Sequence, residues 1–97
     1  PIDEPPPTVT IADHSFCFTG TFDYGTRVEC QAAVNSRGGL AVDAITKKLH
    51  YLVIGNIGSE FWKHSTFGNK IAKAVEYRER GAPLIIVSEQ HWQDHLT

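Results

Sequence analysis

Three short runs of this chain are apolar or nearly so: Ser15-Phe16-Cys17-Phe18, Tyr51-Leu52-Val53-Ile54 and Leu84-Ile85-Ile86-Val87. A strand lying on a solvated sheet alternates apolar and polar residues. A strand that does not alternate is buried on both faces, which is the habit of parallel sheets covered by helices. Between these runs the period changes. From Thr26 to Ser36, the residues Cys30, Ala33 and Val34 fall at i, i+3 and i+4 and make one apolar helical face. Thr26 and Glu29 form a T-x-x-E capping box at its start, and Gly38-Gly39 ends it. Leu40 to Val42 reads as a short second strand, followed by the polar turn Thr46-Lys47-Lys48. Asn69 to Arg80 reads as a second helix with Ile71, Ala74 and Val75 inward, stopped by Gly81 and Pro83. Ser88 caps a last helix that reaches about Leu96 and carries Trp92. The order β-α-β-β-α-β-α predicts an α/β fold: a four-stranded, mostly parallel sheet flanked by helices, with right-handed crossovers.

A chain of 97 residues holds one such domain and not two. Residues 1–8, PIDEPPPT, are proline-rich and acidic and read as an extended linker, which leaves 9–97 for the domain. The chain starts at Pro1 without a methionine, as a piece excised from a longer protein would. No signal peptide and no apolar run of membrane-spanning length is present, so no membrane partner is expected. Cys17 and Cys30 sit in apolar surroundings without metal-ligand spacing and read as reduced core residues of an intracellular protein. The formal net charge is -2, so an anion site has to come from local placement of a few cations rather than from a global field.

The strings FCFTGTF, TRVE, Gly38-Gly39, TKKLHYLVIG, NKIAKA and LIIVSEQHW occur in that order. Together they resemble the BRCT family over about Ser15 to Leu96. They are most similar to the single BRCT domain of bacterial NAD-dependent DNA ligases and of the large subunit of replication factor C. The resemblance implies a BRCT fold and a non-catalytic accessory domain of a DNA repair or replication protein. Such a domain would be bacterial and cytoplasmic, associated with the nucleoid, or nuclear if eukaryotic. It further implies a site for the 5′-phosphate of a DNA end or nick. In that pattern a hydroxyl after the first strand, the following Gly, a first-helix Arg and a second-helix Lys bind the phosphate. The matching positions here are Thr19, Gly20, Arg27 and Lys70.

The residues make chemical sense independently. Thr19 and Gly20 stand at the carboxyl end of a parallel strand, where ligands of open α/β sheets collect. Arg27 follows the capping residue, so the positive end of the helix dipole adds to its charge. A guanidinium binds phosphate through two donors, and Lys70 adds a mobile point charge. The connection from Gly55 to Gly68 is longer than in typical ligase domains, so Lys63 within it and Lys73, one turn on from Lys70, stand as alternatives to Lys70. His50 and Leu49 replace the polar residues more usual before the third strand, and Lys47 and Lys48 are either further DNA contacts or a solvated turn. Phe61 and Trp62 in the same connection either fold back onto the domain or meet a protein partner. An alternative function is therefore a protein-interaction module for a phosphorylated or other repair protein.

Catalysis finds no support in spacing. No phosphate-binding GxxxxGK loop or dinucleotide fingerprint is present, and no nucleophile with a base can be assembled. An adenylating ligase domain would not fit in this length. His91 and His95 lie at i, i+4 but lack a third ligand, so neither a metal nor any other cofactor is expected.

Overall fold

A computed structural model describes residues 2, 3, 5, 7–57 and 66–96. Its elements are β1 (Ser15–Thr19), α1 (Arg27–Asn35), β2 (Leu40–Ala41), β3 (Tyr51–Ile54), α2 (Thr66–Glu79), β4 (Ile85–Ser88) and α3 (Glu89–Asp94). The strands form one sheet in the order β2-β1-β3-β4, and every neighbouring pair is parallel. This is the α/β arrangement expected from the alternating pattern, consistent with a BRCT-like fold.

The apolar runs divide between two cores by strand alternation. Phe16, Phe18, Tyr51, Val53 and Val87 face one side, where Cys30, Ala33 and Val34 of α1 and Trp92 of α3 cover them. Cys17, Leu52, Ile54 and Ile86 face the other, where Ile71 and Ala74 of α2 cover them. A strand carrying side chains into two dry layers has no place for a polar residue, which is why these runs do not alternate.

The helix signals act locally as expected. The Glu29 N–H donates to Thr26 Oγ1 at 3.2 Å, and the Thr26 N–H donates to Glu29 Oε1 at 2.9 Å, completing the capping box. After α1 the Gly38 N–H donates to the Asn35 carbonyl and the Gly39 N–H to the Val34 carbonyl, a Schellman ending.

Some boundaries differ from the reading of the sequence. The second helix starts at Thr66, not Asn69, and ends at Glu79. Gly68, expected to end the preceding connection, lies buried within the helix and does not break it. The fourth strand is shifted by one residue because Ser88 joins the ladder opposite Ile54. The second strand ends at Ala41, although the Val42 N–H still donates to the Phe16 carbonyl. The last helix closes at Asp94. Phe61, Trp62 and Lys63 lie outside the described residues.

Part of the N-terminal segment lies against the sheet. The Asp3 N–H donates to the Ile86 carbonyl at 3.0 Å, and Asp3 Oδ2 accepts from the Ile86 N–H at 2.8 Å. Arg78 of α2 pairs with the same carboxylate at 2.9 Å. Val9 and Ile11 are buried in the α1-side core. No helix among the described residues is long and apolar enough to cross a membrane.

Candidate functional site

The parallel register lines up the carboxyl ends of three strands. Thr19 lies opposite Ile54, and Ile54 opposite Ser88. The next residues, Gly20, Gly55 and Glu89, therefore begin three chain segments along one edge of the sheet. Crossover connections of a parallel sheet leave this edge from one side, which is why ligand-binding groups gather there.

Thr19 is fully buried, and its Oγ1 has no hydrogen-bond partner among the described residues. A buried hydroxyl without a partner costs roughly 1–3 kcal/mol. Gly20 has a φ of 91, a backbone conformation that a side chain would strain. Arg27, in the first turn of α1, is exposed and reaches back so that its Nη2 donates to the Gly20 carbonyl at 3.5 Å. Three of the sequence-predicted residues, Thr19, Gly20 and Arg27, thus meet at the turn after β1.

Lys70 belongs to α2, the helix that covers the other face of the sheet. Strand alternation puts Thr19 on the side of Cys17, which faces α2. Burial raises the Cys17 thiol above its ordinary value; the charges of Lys70 and then Arg27 oppose that rise, and Asp43 adds to it. Both cations therefore lie within electrostatic reach of one side chain two residues before Thr19. Cys17 and Cys30 are both free and buried, and burial pushes the Cys30 thiol up to about 11. Neither presents a thiolate at neutral pH.

The edge also holds a residue that no motif or spacing singled out. Glu89 is fully buried. Its Oε1 accepts from the Asp23 N–H at 3.0 Å and the Asn56 N–H at 2.9 Å. Its Oε2 accepts from the Tyr24 N–H at 2.7 Å and from Gln93 Nε2 at 2.8 Å. One carboxylate thereby ties the β1–α1 loop and the segment after β3 to α3. In the sequence an acid just after a Ser cap reads only as an ordinary first-turn residue favoured by the helix dipole.

Burial alone would raise the Glu89 carboxyl, but the N–H groups of Asn56, Tyr24 and Asp23 and the Gln93 amide outweigh it and hold the group below its ordinary value of 4.5. A carboxyl depressed in the folded state adds stability that is fully present above its unfolded pKa and is lost as pH falls through the folded one. The wild-type protein is therefore expected to lose more melting temperature than Glu89→Gln as pH falls from about 5 to about 2. Thermal melts of the two proteins across that range check this, and a gap that stays constant would contradict an ionised clasp.

Among the described residues no group of three or more His, Cys, Asp or Glu side chains could hold a metal ion. His91 and His95 stack edge to face at 4.5 Å, and each ring is engaged with a backbone carbonyl, His91 with Pro7 and His95 with His91.

No family model matches this chain. The chain is similar to segments of bacterial DNA ligases. It is 39% identical over 66 residues to the DNA ligase of Fervidobacterium nodosum, covering 67% of this chain and 10% of that protein. It is 38% identical over 69 residues to the DNA ligase of a Sulfurihydrogenibium species, covering 69% of this chain and 10% of the ligase. It is 36% identical over 75 residues to the DNA ligase of Sorangium cellulosum, covering 77% of this chain and 10% of the ligase. The chain therefore spans about a tenth of the length of the ligases it matches, a domain-sized part of those proteins.

Proposed function

We propose that this chain is a non-catalytic BRCT domain that holds the 5′-phosphate of a DNA end or nick for a repair or replication enzyme. Thr19, Gly20, Arg27 and Lys70 are its phosphate ligands. The observation that carries the reading is the turn after β1, where an unpartnered buried hydroxyl, a glycine of positive φ and an exposed guanidinium converge. The similarity to a small segment of DNA ligases supports DNA as the source of the anion. An incoming oxyanion draws Arg27 from the Gly20 carbonyl, a neutral acceptor, to a charged one, which makes the stronger hydrogen bond. Thr19 Oγ1 supplies the buried, unpartnered hydroxyl that the phosphate satisfies. Lys70 adds a mobile point charge to the phosphate from the α2 side.

The test is a mobility shift with duplexes that carry or lack a 5′-phosphate. The phosphorylated duplex is expected to bind more tightly, and Arg27→Ala to lose about ten- to a hundredfold of affinity for it, the loss of a charged hydrogen-bonded contact. Affinity is also expected to fall steeply with salt. Equal affinity for both duplexes, unchanged by Arg27→Ala, would remove the phosphate site.

A protein-interaction role is the second reading, and exposed apolar residues beside the site favour it. Val28, next to Arg27, is 72% exposed, and Tyr24 and Ile57 on the adjoining segments are 41% and 49% exposed. Under this reading the neutral change Val28→Ser abolishes partner binding and leaves DNA affinity unchanged.

A further inference from the structure

We infer that Glu89 is the positioning residue of the proposed phosphate site, fixing the loop that runs from Gly20 to the start of α1, where Arg27 stands. This rests on the phosphate reading given above. The loop between β1 and α1 leaves the sheet at Gly20 and re-enters regular structure at Thr26. Between those points its backbone is held by the Glu89 carboxylate, at the Asp23 and Tyr24 N–H groups. The same carboxylate takes the Asn56 N–H, and Asn56 Nδ2 returns a bond to Asp23 Oδ2 at 3.2 Å. The Ile57 N–H donates to the Thr21 carbonyl at 3.1 Å. The two segments thus form one lattice, with Glu89 as the joint through which α3 holds both. Glu89 makes no contact with Thr19, Gly20, Arg27 or Lys70 among its hydrogen bonds, so it acts through the backbone and not as a ligand.

Charge and position make opposite predictions for this residue. A carboxylate near an anion site repels the anion, so removing its charge alone would strengthen phosphate binding. A positioning carboxylate does the reverse. In Glu89→Gln the amide nitrogen must face one of the N–H donors, two donors meet, and the loop loses its fixed geometry. Displacing a binding group by about an ångström is enough to cost a large share of its effect.

The experiment compares wild type, Glu89→Gln and Ile86→Val at a temperature where all three are folded. Ile86 is buried in the α2-side core and serves as a control for general loosening. The readouts are the ratio of affinities for 5′-phosphorylated and 5′-hydroxyl duplexes, and amide hydrogen exchange at Asp23, Tyr24 and Asn56. Glu89→Gln is expected to lower the ratio about tenfold and to speed exchange at those three amides, while Ile86→Val changes neither. If Glu89→Gln does not fold, Gln93→Ala carries the test, since it removes the side-chain donor that orients the carboxylate, and a two- to fivefold lower ratio is expected, roughly the loss of one hydrogen bond. An unchanged or increased ratio with the wild-type ratio above one overturns the positioning role alone. A wild-type ratio of one overturns the phosphate reading and this inference with it.

Discussion

Trp92→Ala is expected to remove about 3–5 kcal/mol of folding stability, the loss typical of a large aromatic cut back to a methyl group in a core. The indole is fully buried. It packs edge to face on Phe18 at 5.0 Å and on Tyr24 at 5.2 Å, so it joins α3 to β1 and to the loop after β1. Domains of this size hold roughly 5–15 kcal/mol in total, so one substitution takes a large fraction. The melting temperature should fall by about 12–40 °C, at about 4–8 °C per kcal/mol. Urea melts followed by circular dichroism check the size of the loss. Trp92 Nε1 is buried and has no partner among the described residues. Trp92→Phe removes that orphaned donor along with part of the ring, so it should be much milder, at roughly 1–2 kcal/mol. A Trp92→Ala protein that loses less than about 1 kcal/mol would mean that the site collapses onto the indole's space, against the packing described.

Gly55→Ala is expected to be nearly as damaging, through crowding rather than a cavity. A Cβ at Gly55 would lie 2.1 Å from the Thr21 carbonyl oxygen, 2.6 Å from its carbon and 2.9 Å from the Thr21 nitrogen. All three atoms are backbone, so no rotamer change relieves the clash, and the turn after β1 has to move. That turn is tied to the same place by the Gly55 N–H donating to the Thr19 carbonyl at 2.9 Å. Overpacking of this kind costs about 1–3 kcal/mol, and more where backbone must shift. Here the upper end is expected. Gly81 offers the contrast, because a Cβ there meets nothing within 4 Å and only the φ of 95 is strained. Gly81→Ala should cost about 1–2 kcal/mol and leave DNA binding unchanged. Gly55→Ala should lose both stability and 5′-phosphate preference. Chemical denaturation and the duplex comparison check the pair, and equal effects at the two glycines would contradict the close approach.

The features legible in the sequence are those whose cause lies within a few residues. The apolar run at Ser15–Phe18 announced a buried strand, and the one at Tyr51–Ile54 a strand buried on both faces. The T-x-x-E spacing at Thr26 and Glu29 gave the start of α1, since a capping box spans a single turn. The Thr-Gly turn and the Arg that follows the cap could be picked out for the same reason. The start of α2 could not, because a glycine in the sequence carries no mark of whether it breaks a helix or packs inside one.

Only the tertiary structure could assign Glu89, whose backbone donors Asp23, Tyr24 and Asn56 lie 66, 65 and 33 positions away in the chain. The same holds for Gly55, which has to be a glycine because of Thr21. These contacts depend on the parallel register that sets Thr19, Ile54 and Ser88 side by side. Periodicity determines that strands exist and that helices cover them. The register decides which loops meet at the sheet's edge, because it is fixed by long-range packing, and with it which buried carboxylate holds the turn after β1 in place.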